Sequence, residues 1–237
     1  MNTLSEISKM IDHSLLHPTY TDEFLRSECY LARKLNVASV CIKPYAIGLA
    51  KEILSGSSVK VSTVVGFPSG SSSIDIKIKE VELACDSGAV EIDFVINIGK
   101  ALSRDWEYIS DEIRLINNIV VSNNAISKVI FENDYYRDNE YKIKLCELCN
   151  QHKVAFVKTS TGYGFVKQQN GMYSYTGATD NDLKLMRAHC IPNIQIKAAG
   201  GIRTLDDVLR VKELGVTRVG ATATQKILSE ALVRGYV

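Results

Sequence analysis

The chain has 237 residues, 46% of them hydrophobic and 23% charged, with a formal net charge of +1. That is long for an ordinary domain and close to the roughly 250 residues of one α/β barrel. No basic run or acidic tail points to nucleic acid or an anionic membrane as a partner, and no apolar run reaches the roughly 18 residues a membrane span needs. The stretch Met1 to Lys9 lacks an apolar signal core, so a cytoplasmic protein acting on small molecules is expected.

Along the chain, short β-branched runs alternate with longer amphipathic stretches. The predicted strands are Ile11 to Leu15, Ala38 to Ile42, Val59 to Val65, Val90 to Ile96, Lys128 to Phe131, Val154 to Lys158, Ile194 to Lys197 and Arg218 to Gly220. Helix signals fill the intervals, so about eight strand-then-helix units fit residues 1–237 as one TIM (β/α)8 barrel domain. Ile74-Asp-Ile-Lys-Ile-Lys-Glu-Val alternates with period two, as a strand would. It is read as helix because Ser73 can cap it, Ile74, Ile78, Val81 and Cys85 share a helical face, and Ser87-Gly88 ends it. Thr179 caps a later helix with Leu183 and Met186 inward, and Thr204 another with Leu205, Val208 and Leu209 on one face.

Six cysteines (Cys29, Cys41, Cys85, Cys146, Cys149 and Cys190) follow no small-scaffold spacing and read as reduced, mostly buried thiols. Cys146-Glu-Leu-Cys149 has half of a zinc site's spacing, but no second pair accompanies it and it lies in a helical pattern; helix packing is expected. Among His13, His17, His152 and His189 only the first two are close, so neither a metal nor another cofactor is expected.

Two lysines carry the chemistry. Lys158 ends Val154-Ala-Phe-Val-Lys and runs into Thr-Ser-Thr-Gly; Lys197 ends Ile194-Gln-Ile-Lys and runs into Ala-Ala-Gly-Gly. A buried ammonium is costly to desolvate and is kept where it has a partner or a task. If the two face each other, burial and mutual repulsion both disfavour the charged form. One of them is then able to exist as a neutral amine near pH 7 and to attack a carbonyl, forming a Schiff base. Strand C-terminal ends line the active-site face of a barrel, and Lys158, Lys197, Asp93 and Asn97 are all placed there. Asp93, between apolar neighbours, is a candidate proton carrier and charge partner. Glu91 is read as facing the other way, toward the helix layer or the rim.

Ala199-Gly-Gly-Ile-Arg203 and Val219-Gly-Ala-Thr-Ala-Thr224 follow the last two strands, where barrel loops commonly hold a phosphate on backbone N–H groups. Thr63-Val-Val-Gly-Phe-Pro-Ser-Gly70 either shapes the site wall or is a plain βα turn.

These segments together resemble a family. Asp12-His-Ser-Leu-Leu, Val40-Cys-Ile-Lys-Pro, Thr63-Val-Val-Gly-Phe-Pro-Ser-Gly, Gly88-Ala-Val-Glu-Ile-Asp-Phe-Val-Ile-Asn, Phe156-Val-Lys-Thr-Ser-Thr-Gly, Lys197-Ala-Ala-Gly-Gly-Ile-Arg and Arg218-Val-Gly-Ala-Thr are similar, in order, to the motifs of the deoxyribose-phosphate aldolases. The resemblance implies a class I aldolase that reversibly cleaves 2-deoxy-D-ribose 5-phosphate to acetaldehyde and glyceraldehyde 3-phosphate. It makes Lys158 the Schiff-base lysine, Lys197 the cation that lowers its pKa, and Asp93 a carboxylate that moves protons through water. It gives the sugar phosphate to Gly200, Gly201, Gly220 and Ala221 through backbone N–H groups, with hydroxyls from Thr161 or Thr222. Asp12, Ser14 and Cys41 match positions that border the substrate in the family.

The chain departs from that pattern in three places. Ser14 stands where threonine is usual, Thr222-Ala223 where serines are common, and the run from Tyr163 to Gly177 is longer than the family's usual loop. That loop is read as a lid or as a modifier of the accepted aldehyde. A Schiff-base barrel enzyme with another substrate, and a non-catalytic sensor of phosphorylated metabolites, are the alternatives; a sensor has no use for two buried lysines. Nothing in the sequence fixes the assembly, for which a homodimer is one arrangement.

Overall fold

The computed structural model describes residues 3–237. Its strands are β1 (Ile11–Leu15), β2 (Ser39–Ile42), β3 (Lys60–Val65), β4 (Glu91–Val95), β5 (Ile126–Ile130), β6 (Phe156–Lys158), β7 (Val166–Lys167), β8 (Tyr173–Ser174), β9 (Gln195–Ala199) and β10 (Arg218–Ala221). All except β7 and β8 pair in parallel with their neighbours and close into a barrel, β10 returning to β1. This is the expected TIM barrel, with each predicted strand present. The short strands β7 and β8 form an antiparallel hairpin within the excursion from Tyr163 to Gly177, which the sequence reading left without structure.

The strand period of two sorts the side chains. One set, Ile11, Val40, Ile92, Phe94, Val129, Val157, Ile196 and Val219, is fully buried in the apolar layer the strands share with the surrounding helices. Each such side chain contributes about 1.5–3 kcal/mol. The alternate set is polar and meets inside the barrel, and here Glu91 corrects the expectation. Positions 91 and 93 differ by two, so they share a face; Glu91 points inward and is buried, with no place at the rim or in the helix layer.

The ambiguous segment is helical over Ile74–Ser87 and ends on Gly88, whose φ of 112° suits glycine. Ser73 occupies the N-cap position without a side-chain hydrogen bond. Lys77, one of the polar residues behind the strand-like alternation, is fully buried: its Nζ donates to Glu112 at 2.6 Å and to the carbonyls of Gly70 and Val95 at 2.7 and 2.8 Å. An inward lysine with a partner reads as polar in the pattern while behaving as core. Thr179 and Thr204 cap their helices through Asp182 N–H and Asp207 N–H, as their spacing predicts. Cys146 and Cys149 are buried in the helix Asn139–Gln151. Asn97, expected at the site, instead caps the helix Ile98–Leu102 by accepting from Lys100 N–H. No helix among the described residues is long and apolar enough to cross a membrane.

Candidate active site

Parallel pairing puts Lys158 of β6 beside Lys197 of β9 in direct register, so both ammonium-bearing chains rise from the same layer of the barrel. Asp93 lies across the barrel on β4 and receives both: its Oδ2 is 2.8 Å from Lys158 Nζ and 2.7 Å from Lys197 Nζ. Lys197 Nζ also donates to Asp12 Oδ2 at 2.5 Å. Beneath them Lys128, in register with Asp93, donates to Asp93 Oδ1 at 2.8 Å, Asp12 Oδ2 at 3.2 Å and Ser62 Oγ at 3.1 Å, and pairs with Glu91 at 2.6 Å. Arg218 closes the layer on Asp12 at 2.6 Å and Glu91 at 3.0 Å.

The charges decide which lysine is free to react. Three carboxylates (Asp12, Glu91, Asp93) face three cations (Lys128, Lys197, Arg218) before Lys158 is counted. In a low-dielectric interior a fourth cation would be uncompensated. Accordingly, burial pushes the Lys158 amine down and Lys197 pushes the same way, outweighing the opposing pull of Asp93. Burial also acts against the Lys197 ammonium, but Asp12 and Asp93 outweigh it and hold it above the ordinary lysine value. Burial would raise both aspartates; Lys128 and the cations beside it hold Asp12 and Asp93 well below the usual carboxylate range.

Above this layer opens a cavity of about 180 Å3. It is lined by eleven of the thirteen expected site residues: Lys158, Lys197, Asp12, Ser14, Cys41, Thr161, Gly200, Gly201, Gly220, Ala221 and Thr222. Asp93 lies below the lining, fully buried. Asp12 reaches the lining, but Lys197, Lys128, Arg218 and Ser39 occupy its oxygens. The Thr161 hydroxyl is likewise committed, donating to Glu132 and accepting from Tyr163 N–H, which makes Thr161 a loop anchor where a substrate contact was expected. Gly200 and Gly201 both have φ of 86°, and a Cβ on Gly200 would lie 2.9 Å from Gly177 Cα, so only glycine fits that crossing. The helix Thr224–Val233 begins just beyond Ala221 and Thr222, which line the cavity.

Lys128, Arg218 and Glu132 were missed in the sequence, whereas Tyr163 and Tyr175 belong to the long run expected as a lid or modifier and do line the cavity. For Lys128 the signal was the one used for the other lysines, a cation inside an apolar strand. Starting the predicted strand at Lys128 placed that residue at an edge, whereas β5 begins at Ile126 and carries it in the middle. The Thr63 to Gly70 segment stays outside the lining, but Phe67 backs it by packing edge-on against Tyr163 at 5.5 Å. Among the described residues no three His, Cys, Asp or Glu side chains gather as a metal site would require.

An amine whose charged form is disfavoured, held beside an ammonium in a cavity at the C-terminal mouth of a barrel, suits an enzyme that works on carbonyl compounds. Comparison with known proteins gives the family. The model of the DeoC/LacD family aldolases matches residues 7–227, and the chain belongs to that family. It is therefore a lyase of the aldolase type. The deoxyribose-phosphate aldolase of Rhodopirellula baltica is 47% identical, with 95% of this chain and 89% of that protein covered. That of Caldanaerobacter subterraneus subsp. tengcongensis is 43% identical over 96% of this chain and 94% of its own. The solved deoxyribose phosphate aldolase of Aeropyrum pernix, described as a tetramer, superposes with a TM-score of 0.83 at 25% identity, covering 99% and 94% of the two chains.

Proposed function

We propose that this chain is a class I aldolase that reversibly cleaves 2-deoxy-D-ribose 5-phosphate to acetaldehyde and D-glyceraldehyde 3-phosphate through a Schiff base on Lys158. The observation that carries the reading is the charge count beneath the cavity, which disfavours the charged form of Lys158 while Asp12 and Asp93 hold Lys197 above the ordinary lysine value. Lys158 Nζ adds to C1 of the open-chain aldehyde and water leaves, giving an imine whose protonated form draws electrons from the C2–C3 bond. As that bond breaks, the 3-hydroxyl loses its proton and becomes the aldehyde of glyceraldehyde 3-phosphate. Asp93 is assigned as the terminal acceptor, reached through a bridging water because it lies under the lining, while Lys197 stays charged and steadies the developing oxyanion. The enamine then takes a proton at carbon, and water releases acetaldehyde and the free amine.

The phosphate is assigned to the Gly200–Gly201 loop and the N-terminal end of the helix Thr224–Val233, with Thr222 as a hydroxyl contact and Ser14 and Cys41 bordering the sugar. The two glycine loops are expected to respond differently to a side chain. A Cβ on Gly201 meets only Thr176 O at 3.9 Å, whereas one on Gly220 meets Ala199 Cβ at 3.3 Å and Lys197 Cε at 3.6 Å. At φ of 86° a valine also strains the Gly201 backbone, so Gly201→Val is expected to shift the loop and to weaken the phosphorylated sugar more than unphosphorylated deoxyribose, and Gly220→Val to impair both by disturbing Lys197. Equal losses for Gly201→Val in the folded protein would move the anion site elsewhere.

Barrel strands draw on residues 11–221, and we take the chain as one domain. We place the enzyme in the cytoplasm, where its six free cysteines stay reduced, and include self-association in the proposal, as in the Aeropyrum relative. The deciding experiment incubates the protein with deoxyribose 5-phosphate, follows both products, and adds a hydride reductant to trap the imine. Peptide mapping is expected to place one stable adduct on Lys158. An adduct on Lys197, or cleavage without any adduct, would overturn the assignment.

A further inference from the structure

Between β6 and β9 the chain leaves the barrel for the β7–β8 hairpin, and the short segment after β5 holds both ends of that excursion. At the front end Glu132 accepts the Thr161 N–H at 3.2 and 3.1 Å on its two oxygens and the Thr161 hydroxyl on Oε2. The same hydroxyl accepts Tyr163 N–H at 2.9 Å. At the rear end Asp134 Oδ1 accepts Thr176 N–H at 2.5 Å, and its two oxygens accept Gly177 N–H at 3.3 and 3.1 Å. Gly177 is pressed against the Gly200 loop: a Cβ there would lie 2.7 Å from Gly200 O, which already accepts Ala178 N–H at 3.1 Å. Beside the two ends, Tyr163 and Tyr175 line the cavity.

Glu132 holds this place at evident cost. Its backbone is left-handed, with φ of 61°, and its carboxyl is buried. The excursion is shaped around it, since a Cβ on Gly164 would lie 2.6 Å from Glu132 Cδ. Strain and desolvation at one residue beside a cavity mark a positional demand more than a packing one. We propose that Glu132 and Asp134 are positioning residues for the aldolase reaction, a two-ended clamp that fixes the hairpin so that Tyr163 and Tyr175 wall the cavity between Lys158 and the Gly200–Gly201 loop.

The front end of the clamp is sensitive to protons. Burial pushes the Glu132 carboxyl up to about 7, against the hydrogen bonds from Thr161; Asp134 adds to the rise and Lys158 opposes it. The remaining titratable groups facing it are the phenols of Tyr135 and Tyr136, whose ionisation it pushes further up. The clamped state raises the carboxyl and so holds its proton more tightly than an opened, hydrated segment would; the grip therefore loosens as pH rises through neutrality.

The test uses the full-length enzyme and reads hydrogen exchange of the amides from Thr161 to Gly177 at pH 6 and pH 8, corrected for the intrinsic rate, beside kcat/KM for deoxyribose 5-phosphate. Wild-type protection is expected to fall from pH 6 to pH 8, as the buried carboxyl ionises. Glu132→Gln turns an amide N–H2 toward a donor, so its segment is expected to exchange alike at both pH values, with kcat/KM reduced on the order of tenfold at pH 6. Thr161→Val removes the hydroxyl that holds the carboxyl down, which moves the transition in protection to higher pH, while Thr161→Ser keeps the wild-type behaviour. Asp134→Asn is expected to raise exchange at Thr176 and Gly177 alone. Wild-type protection and pH response in Glu132→Gln, or loosened protection with unchanged kcat/KM, overturns the proposal. If Glu132→Gln does not fold, the contrast between Thr161→Val and Thr161→Ser decides. Only the kinetic arm rests on the proposed function; the exchange arm stands or falls independently of it.

Discussion

Lys158→Arg is expected to lower turnover of deoxyribose 5-phosphate on the order of a thousandfold or more and to abolish the reducible adduct. The reason is protonation, with little contribution from packing. Lys158 is buried beside Asp93 Oδ2, so a guanidinium placed there fixes a fourth cation against the three carboxylates of the layer, and some loss of stability is expected beside the loss of turnover. A guanidinium stays protonated in proteins and cannot form the imine. Circular dichroism and thermal unfolding establish that the variant folds, and mass spectrometry after reduction reports the adduct. Turnover within about tenfold of the wild type in a folded variant would mean that the chemistry does not pass through this amine.

The contrast between what was legible in the sequence and what was not has a physical origin. Lysine is rare in a buried apolar strand, so Lys158 and Lys197 announced themselves, and strands of β-branched residues alternating with capped helices gave the barrel. What escaped was mostly partnership across the barrel. Lys128, Glu91 and Arg218 lie far apart in the chain and become one layer only because β4, β5 and β10 bring them to one level, a relation set by strand stagger. Glu91 needed only the period of two, since it shares its face with Asp93. Thr161 shows the opposite limit: its type and place suited a substrate contact, but its hydroxyl donates to Glu132, a residue 29 positions earlier in the chain. Family likeness carried the order of motifs along the chain; it carried nothing about the hairpin, which lies in the run from Tyr163 to Gly177.

The same charge layer makes Lys197→Leu the sharper test of how the amine is tuned. Removing Lys197 takes away a cation that disfavours the Lys158 ammonium, and it also frees Asp93 Oδ2 from one of its two lysine partners, so that carboxylate attracts Lys158 more strongly. Both changes have one sign. With Lys197 gone, Asp12, Glu91 and Asp93 face only Lys128 and Arg218, and a protonated Lys158 becomes the third cation that balances them. The Lys158 pKa therefore rises, and the reactive neutral form is lost as pH falls from a higher starting point. The rising, acid-side limb of kcat/KM is expected to move to higher pH, with a loss on the order of a hundredfold at pH 7 that shrinks as pH is raised. Leucine approximates the lysine stem, which keeps the barrel interior filled. A folded Lys197→Leu enzyme whose acid limb stays where it is in the wild type would show that burial alone tunes Lys158. A loss that is equal at every pH would place the role of Lys197 in stabilising the oxyanion, with no part in setting the proton.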